Sequence, residues 1–423
     1  MSKKNIIQVF EHRPLHLNEV VNDVVFTKDH LSALQKYYGD KGCPYFSLIN
    51  NGVKFNEHVG VLQVGTLTIE VLPKADKGTE DKKIWHSFLI NMLRKVGIID
   101  VNATGFASLR LKSNSILELY IELFLKEVHF LMHTGLIKKY RNTEGNLKSM
   151  KGALNFPKHI AVNSIHAERF YVNYSTYDKN NLLNQILYKT LKLIRHINTS
   201  PVLHGNIEGL MLDFPECNEI HPDDGLFNKI NYDRKNESYR KAINMARLLL
   251  LNYHPDIRQG QNDVLALMFN MNALWEAYVF KQLKRELTGV YIIRDQVKTD
   301  FWKPEGGRPS RVMADIVVYE DSNKERLNEA VAVLDTKWKN QNGKNPSDDD
   351  LKQMFVYNLY YNCFNSALLY PATTKDSVRG KFIKTEHGTC DLQFIELLNT
   401  GDSMEINLQG VKEYLNELKE IEA

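Results

Sequence analysis

Three side chains in the C-terminal third of the sequence have the types and spacing to act on a phosphate. Asp315 interrupts the apolar run Val312-Met-Ala-Asp-Ile-Val-Val-Tyr319, and Asp335 and Lys337 close the run Ala330-Val-Ala-Val-Leu-Asp-Thr-Lys337. Side chains two apart on a strand share a face, so Asp335 and Lys337 point the same way, and Asp315 can face them from a neighbouring strand. Two carboxylates offer the hard oxygen ligands that Mg²⁺ prefers, with several waters kept on the ion. Such an ion draws charge off a phosphate and lowers the pKa of a bound water. A lysine beside it orients that water or offsets charge building up on the phosphate. The chemistry this set suits is phosphodiester hydrolysis.

An acid-x-Lys triplet alone is common. Asp81–Lys83, Asp233–Lys235, Asp350–Lys352 and Glu417–Lys419 share the spacing, and most read as surface pairs. Asp335-Thr336-Lys337 stands apart because Ala-Val-Ala-Val-Leu precedes it, so its charges emerge from a buried strand. A buried ion pair would account for one aspartate and the lysine but not for Asp315. Downstream, Ser347 followed by Asp348-Asp349-Asp350 reads as a helix start, with Ser347 as cap and Asp350 as an acidic variant of the capping box. The positive end of the helix dipole accounts for the acidic run itself. Gln353 and Tyr357 are four apart, hence on one helical face, from which they could reach a DNA strand or the water network near Lys337. Glu276 is the lone acid in Phe269-Asn-Met-Asn-Ala-Leu-Trp-Glu-Ala-Tyr-Val-Phe280, either a satisfied structural group or a third metal ligand.

The elements that must position these residues can be read from periodicity. Residues 1–80 are β-rich: Gly60–Val71 alternates about Gly65, Pro73 closes the stretch, and Asn51-Gly52 is a hairpin signal. At Asp81 the period becomes helical, with Ile84, Trp85, Phe88, Leu89, Met92 and Leu93 on one face and Gly97 as the stop. A second helix is expected from about Ile116 to His133, others within 180–200 and 235–253, and one long helical segment from about Asp263 to Leu287. Beyond it, strands and one helix alternate to about residue 398. The expected division is 1–80, β-rich; 81–254, mainly helical and partner-binding; and 255–423, the domain with the three charges, with His254-Pro255 as boundary. The fold class is α/β in α+β multidomain form: a β-rich and helical N-terminal half, then a mixed sheet flanked by helices. Within the middle region, Gly135–Arg169 carries seven basic residues against Glu144 and Glu168, a larger local surplus than the +3 of the whole chain. It is either a solvated basic loop or a surface that tracks phosphates or an acidic partner, with Lys148 and Lys151 as candidate contacts.

Composition sets the outer bounds. At 423 residues, 43% hydrophobic and 25% charged, the chain fits two or three globular domains and neither a disordered nor a collagen-like protein. No apolar run approaches the ~18 residues of a membrane span. Charge and a proline come too early for a signal-peptide core. Cys43, Cys217, Cys363 and Cys390 share no CxxC spacing, which fits free thiols in a reducing cytosol. Neither Gly343-Lys344-Asn345 nor Gly380-Lys381-Phe382 has the hydroxyl residue of a phosphate loop, so the chain is not itself a P-loop motor.

A helix with an acid, a strand with Asp, a strand with Asp-x-Lys and then a helix resemble the PD-(D/E)xK nuclease superfamily. Gln353-Met-Phe-Val-Tyr357 resembles the QxxxY motif of its RecB-like members. Within the superfamily the chain is similar to the McrC family, the nuclease subunits of 5-methylcytosine-specific restriction systems. The likeness rests on Phe269–Val279, Ala314-Asp-Ile-Val317, Leu334-Asp-Thr-Lys-Trp-Lys339 and Asp350-Leu-Lys-Gln-Met354. More softly, it rests on Val59-Gly-Val61, Ile69-Glu-Val-Leu-Pro-Lys74, Gly135-Leu136, Gly145-Asn-Leu147, Lys151-Gly152, Tyr177-Asp178 and Asn180–Asn184. Ala314 stands where a proline often precedes the first Asp, a position that is not a ligand. The resemblance implies an Mg²⁺-dependent endonuclease with Asp315, Asp335 and Glu276 at the metal, Lys337 at the water and Gln353 assisting. Lys148, Lys151 and Tyr357 would touch DNA. It also implies that the N-terminal half docks into a hexameric, McrB-like AAA+ GTPase ring that binds the GTP. The substrate would be double-stranded DNA with modified cytosine, in the cytoplasm and away from membranes. Two other readings are a stand-alone RecB-like repair nuclease and a non-catalytic adaptor that keeps the nuclease fold.

Overall fold

The computed structural model describes residues 5–75, 81–98, 115–255, 263–320, 330–339, 341, 345–372, 376–383, 388–400 and 404–422. Of the features read from sequence, Met1–Lys4 and Gly343-Lys344 lie outside these residues. The chain divides into two compact units. One comprises Met1–Leu62, Leu67–Val101 and Met268–Ala423; the other comprises Gln63–Thr66 and Asn102–Leu267. These units differ from the expected division at 80 and 254, because the helix that follows the β-rich start packs on C-terminal elements of the same unit.

In the first unit, β1 (Ile6–Phe10), β2 (His58–Val64) and β3 (Leu67–Leu72) lie in the order β1-β3-β2. β1 and β3 run parallel, from Ile6↔Thr68 to Phe10↔Leu72. β3 is buried along its whole length and β2 nearly so, so burial does not alternate with the sequence, and the polar Gln63, Thr68 and Glu70 lie inside with their apolar neighbours. Phe46–Ile49 pairs with Gly52–Phe55 through Ile49↔Gly52, so the hairpin turns at Asn50-Asn51, one residue before the Asn51-Gly52 expected. Asn51 takes the left-handed conformation (φ 53°), while Gly52 is needed in the strand: a Cβ there would stand 2.5 Å from the Leu15 carbonyl oxygen. α1 (Lys82–Val96) begins at the Asp81 cap, stops at left-handed Gly97 and buries Trp85, Phe88, Leu89, Met92 and Leu93.

The second unit contains α2 (Ile116–Thr134), β4 (Lys139–Leu147), α3 (Phe156–Asn163), β5 (Phe170–Asp178), α4 (Leu182–Ile197), α5 (Pro201–Asp213) and α6 (Arg240–Leu251). α4 packs on α5 and α6, and α2 packs on the same two helices. The basic segment is not a loop: β4 and β5 pair antiparallel from Lys139↔Asp178 to Leu147↔Phe170, and α3 packs on β5. Tyr140, Thr143, Tyr171, Val172, Tyr174 and Tyr177 favour extended backbone, a signal that the charge run obscured.

The expected helix from Asp263 to Leu287 is two elements, β6 (Val264–Asn270) and α7 (Met271–Leu287). An apolar run such as Val-Leu-Ala-Leu-Met-Phe carries no period, and Asn270 resolves the boundary by accepting from Ala273 N at 3.1 Å as the cap. Then follow β7 (Tyr291–Trp302), β8 (Ser310–Glu320), β9 (Ala332–Thr336), α8 (Asp348–Tyr360), β10 (Ser366–Ala372), β11 (Asp391–Asn399), β12 (Met404–Asn407) and α9 (Gln409–Glu422). The sheet order is β7-β8-β9-β10-β11-β12, parallel from β9 to β11 and antiparallel elsewhere. α8 packs on β9 and β10, α7 on α1, β7 and β9, and α9 on β11. Val317, Val333, Met354, Leu368 and Tyr370 belong to one buried cluster that includes residues of α8. The mixed α/β class is the one expected from sequence.

Candidate active site

β8 and β9 pair through Ile316↔Leu334. One step further, the same antiparallel register sets Asp315 opposite Asp335 on a shared face. A side chain takes over from the ladder there: Thr336 N and Oγ1 both donate to Asp315 Oδ2, at 3.0 and 3.2 Å. Asp335, at the end of a fully buried strand, is 1% exposed. Lys337 follows it, its N donating to Leu369 O at 2.9 Å so that the chain stays extended along β10. Lys337 Nζ lies 2.7 Å from Asp335 Oδ2. The two form an ion pair, and Oδ2 accepts no hydrogen bond from any other described residue.

α8 completes the set. Lys337 Nζ donates to Gln353 Oε1 at 3.2 Å, Gln353 Nε2 donates to Tyr357 Oη at 2.6 Å, and Tyr357 donates to Met313 O at 2.5 Å. Tyr357 is only 4% exposed, so it does not present a surface to DNA as expected. The face it shares with Gln353 is turned toward the sheet, where its hydroxyl fixes the Gln353 amide. Ser347 caps α8 as expected, accepting from Asp350 N at 3.2 Å. The Asp350 carboxylate does not close a capping box. It meets Lys339 Nζ at 2.5 Å and lies 3.5 Å from Lys337 Nζ, a second acid on the lysine that sequence spacing alone did not reveal. Asp350 is buried whereas Asp348 and Asp349 are exposed.

Burial and crowding of like charge set the protonation of this cluster. Burial, then the neighbouring charge of Asp315, pushes Asp335 up to about 7 against the pull of Lys337. Burial also raises Asp315, against the hydrogen bonds from Thr336 and the charge of Lys337. Burial would lower Lys337, but Asp335, Asp350 and Asp315 outweigh it and hold its ammonium above the ordinary value. Burial would raise Asp350, but side-chain hydrogen bonds from Lys339 and Ser347 and the charges of Lys337 and Lys339 pull it down. Glu276, on α7, is raised to about 7 by burial and by the charge of Asp315. It accepts from Gln296 Nε2 at 3.4 Å, and Gln296 has a left-handed backbone (φ 47°), a conformation rare outside glycine.

Asp315 and Asp335 suit a hard dication. They are buried oxygen donors, one oxygen lacks a hydrogen bond, burial raises both, and the charge of Asp315 raises Asp335 further, a repulsion that a cation would relieve. Among the described residues, no three His, Cys, Asp or Glu side chains stand close enough to hold one ion. Glu276 is therefore not gathered with the two aspartates as a third ligand, because Gln296 engages its carboxylate instead.

In the second unit, Lys148 and Lys151 are exposed, and Lys151 Nζ stands 4.7 Å from the centre of the Tyr174 ring. Three other positive charges of the segment are paired, Arg141 with Asp178 at 2.9 Å, Lys158 with Glu144, and Arg169 with Glu168 at 3.9 Å.

Comparison with known proteins adds the family. No curated protein matches the chain. Among solved structures, it is similar to one in the refined half-complex from a tetradecameric assembly of Thermococcus gammatolerans McrB AAA+ hexamers with bound McrC. The TM-score is 0.70 at 20% identity, over 98% of this chain and 100% of that one. It is also similar to a chain of the cryo-EM structure of the Thermococcus gammatolerans McrBC complex, with a TM-score of 0.50 at 21% identity over 69% and 89% of the two chains. At such identities the likeness speaks for the fold. The profile described as McrBC 5-methylcytosine restriction system component matches residues 53–371, well over half of the sequence, and on that match the chain belongs to the McrBC family.

Proposed function

We propose that the chain is the endonuclease subunit of a modification-dependent restriction complex. It cleaves double-stranded DNA carrying 5-methylcytosine by Mg²⁺-dependent phosphodiester hydrolysis, and it activates a McrB-like AAA+ GTPase hexamer that binds the GTP. The observation that carries this reading is the convergence of Asp315, Asp335 and Lys337 at the end of two buried strands. Asp315 and Asp335 hold the metal. When bound, the ion supplies Lewis-acid polarisation of the phosphate and a water of lowered pKa. Thr336 fixes Asp315, while Gln353 and Asp335 aim the Lys337 ammonium, which orients the attacking water or offsets charge on the phosphate. Glu276, raised toward neutrality, supplies a proton-bearing carboxyl at the edge of the site. With one such site per chain, each copy cuts one strand, and a double-strand break needs two complexes on the DNA. The partner assignment follows the solved relatives, in which McrC is bound to McrB AAA+ hexamers. A cytoplasmic location suits that role, and among the described residues no helix is long and apolar enough to cross a membrane.

The decisive experiment co-purifies the chain with a McrB-like GTPase and assays cleavage of methylated against unmethylated plasmid. GTP-dependent cleavage of the methylated plasmid alone is expected. Cleavage without GTP or partner would favour a stand-alone RecB-like repair nuclease, and absence of both Mg²⁺ binding and cleavage would favour an adaptor.

Two narrower outcomes follow. Gln353→Ala should slow single-turnover cleavage roughly ten- to a hundredfold, because the amide that aims Lys337 is gone; an unchanged rate at saturating Mg²⁺ would remove Gln353 from the machinery. Neutralising Lys148 and Lys151 together should weaken DNA or partner binding and flatten its salt dependence, by up to about two in the log–log slope for DNA. Unchanged affinity at low salt would leave them as solvated charges.

A further inference from the structure

The residue after Lys337 is anchored in a place that the site chemistry does not require. Along the extended chain, Trp338 projects to the side opposite Lys337. There its indole ring lies 5.1 Å from that of Trp275 on α7 and is stacked 6.4 Å from Phe88 on α1. Its Nε1 donates to Glu11 Oε1 at 2.7 Å, a bond between residues 327 positions apart. Glu11 directly follows β1 and is 5% exposed. Its N donates to Leu72 O at 2.9 Å, and the same Oε1 accepts from Lys74 N at 2.9 Å, so Glu11 is held at the C-terminal ends of β1 and β3. Glu11 Oε2 accepts no hydrogen bond among the described residues, and His12 Nε2 lies 3.8 Å from it.

A carboxylate buried with one oxygen unsatisfied destabilises the fold unless something else is gained. Here the gain is positional. Trp275 and Trp338, packed on one another, are the immediate sequence neighbours of Glu276 and Lys337. Fixing the pair of indoles fixes the two stretches of backbone from which those side chains reach the site. The soft motif Ile69-Glu-Val-Leu-Pro-Lys74 acquires a function on the same grounds, since its Leu72 carbonyl and Lys74 amide hold Glu11 in place.

We propose that Glu11 is a positioning residue of the nuclease site, acting through the indole N–H of Trp338 on the backbone that carries Lys337. The proposal rests on the nuclease reading above. It is tested in the full chain, complexed with its GTPase partner, by comparing Glu11→Ala, Glu11→Gln, Trp338→Phe and the Glu11→Ala/Trp338→Phe double variant. Glu11→Gln keeps the acceptor for both donors, and Trp338→Phe keeps an aromatic ring but loses the N–H. Glu11→Ala and Trp338→Phe should each lower cleavage turnover roughly ten- to a hundredfold, with KM for DNA and GTPase stimulation changed by less than about twofold. Glu11→Gln should restore turnover, and the double variant should be no slower than the slower single one. Wild-type turnover in Glu11→Ala, multiplying effects in the double variant, failure of Glu11→Gln to rescue, or a parallel loss of GTPase stimulation would each overturn it. Should Glu11→Ala not fold, Trp338→Phe decides alone, and wild-type turnover there rejects the proposal. Asp335→Ala separates the two levels. If it stops cleavage while the Glu11 and Trp338 variants cut normally, only the positioning role falls; if the unmodified complex never cuts, the nuclease reading falls and takes the positioning role with it.

Discussion

The Asp335→Ala complex is expected to assemble, to stimulate GTP hydrolysis and to cut DNA at least roughly 10³-fold more slowly than the unmodified complex. On the proposed reading the substitution removes a metal ligand, and it removes the carboxylate that lies 2.7 Å from Lys337 Nζ, so the lysine loses its placement as well. It does not remove a stabilising interaction of comparable size. Asp335 is buried beside Asp315, and burial with like charge pushes it up to about 7, the signature of a carboxylate kept at the expense of the fold. Asp335→Asn, which keeps the volume and discards the charge, should therefore melt at or above the unmodified temperature at pH 8 while being equally inactive. Persistent Mg²⁺-dependent cleavage in either purified variant would place the reaction elsewhere.

The second large effect is on stability against pH. Burial, moderated by the hydrogen bond from Trp338 and that from Lys74, pushes Glu11 up to about 7, from an ordinary value of 4.5. Between those two values the folded chain holds a proton that the unfolded chain has released. The stabilisation this provides is complete below about pH 4.5 and is lost as pH rises through 7, the loss amounting to ~3 kcal/mol by pH 8. Glu11→Gln has no proton to lose. Its denaturant midpoint should fall less than that of the unmodified chain between pH 5 and pH 8, and it should be the more stable of the two at pH 8. Asp335 and Glu276, raised in the same direction, leave a residual slope in both proteins. A difference between the two that stays constant across that range would show Glu11 to be ionised throughout.

What the sequence disclosed depended on how local the signal was. Asp335 and Lys337 could be recognised because a buried run ended abruptly in charge, and the spacing of two put them on one face. α1 and α2 followed their apolar stripes almost to the residue, and Ser347 capped α8 as its type demanded. Signals that two segments must supply together were silent. Thr336 gains its importance only from Asp315 on the next strand, and Asp350 only from Lys337 and Lys339. Tyr357 had the right spacing to Gln353, but which way their shared face turned was fixed by packing on β8. The segment 264–270 was misread because a short apolar run is equally at home in a helix or a strand. The β4–β5 hairpin was hidden by its charges. The pairing of Glu11 with Trp338 had no sequence signal at all.

The unit that holds the site is made from the two ends of the chain, with about 165 residues of another unit inserted between them. During synthesis the ribosome therefore delivers β1 and β3 first and β8 and β9 long afterwards. A message broken within the insertion yields a fragment from which Asp315, Asp335 and Lys337 are missing altogether. On the proposed nuclease reading, a partial translation product therefore carries no assembled site.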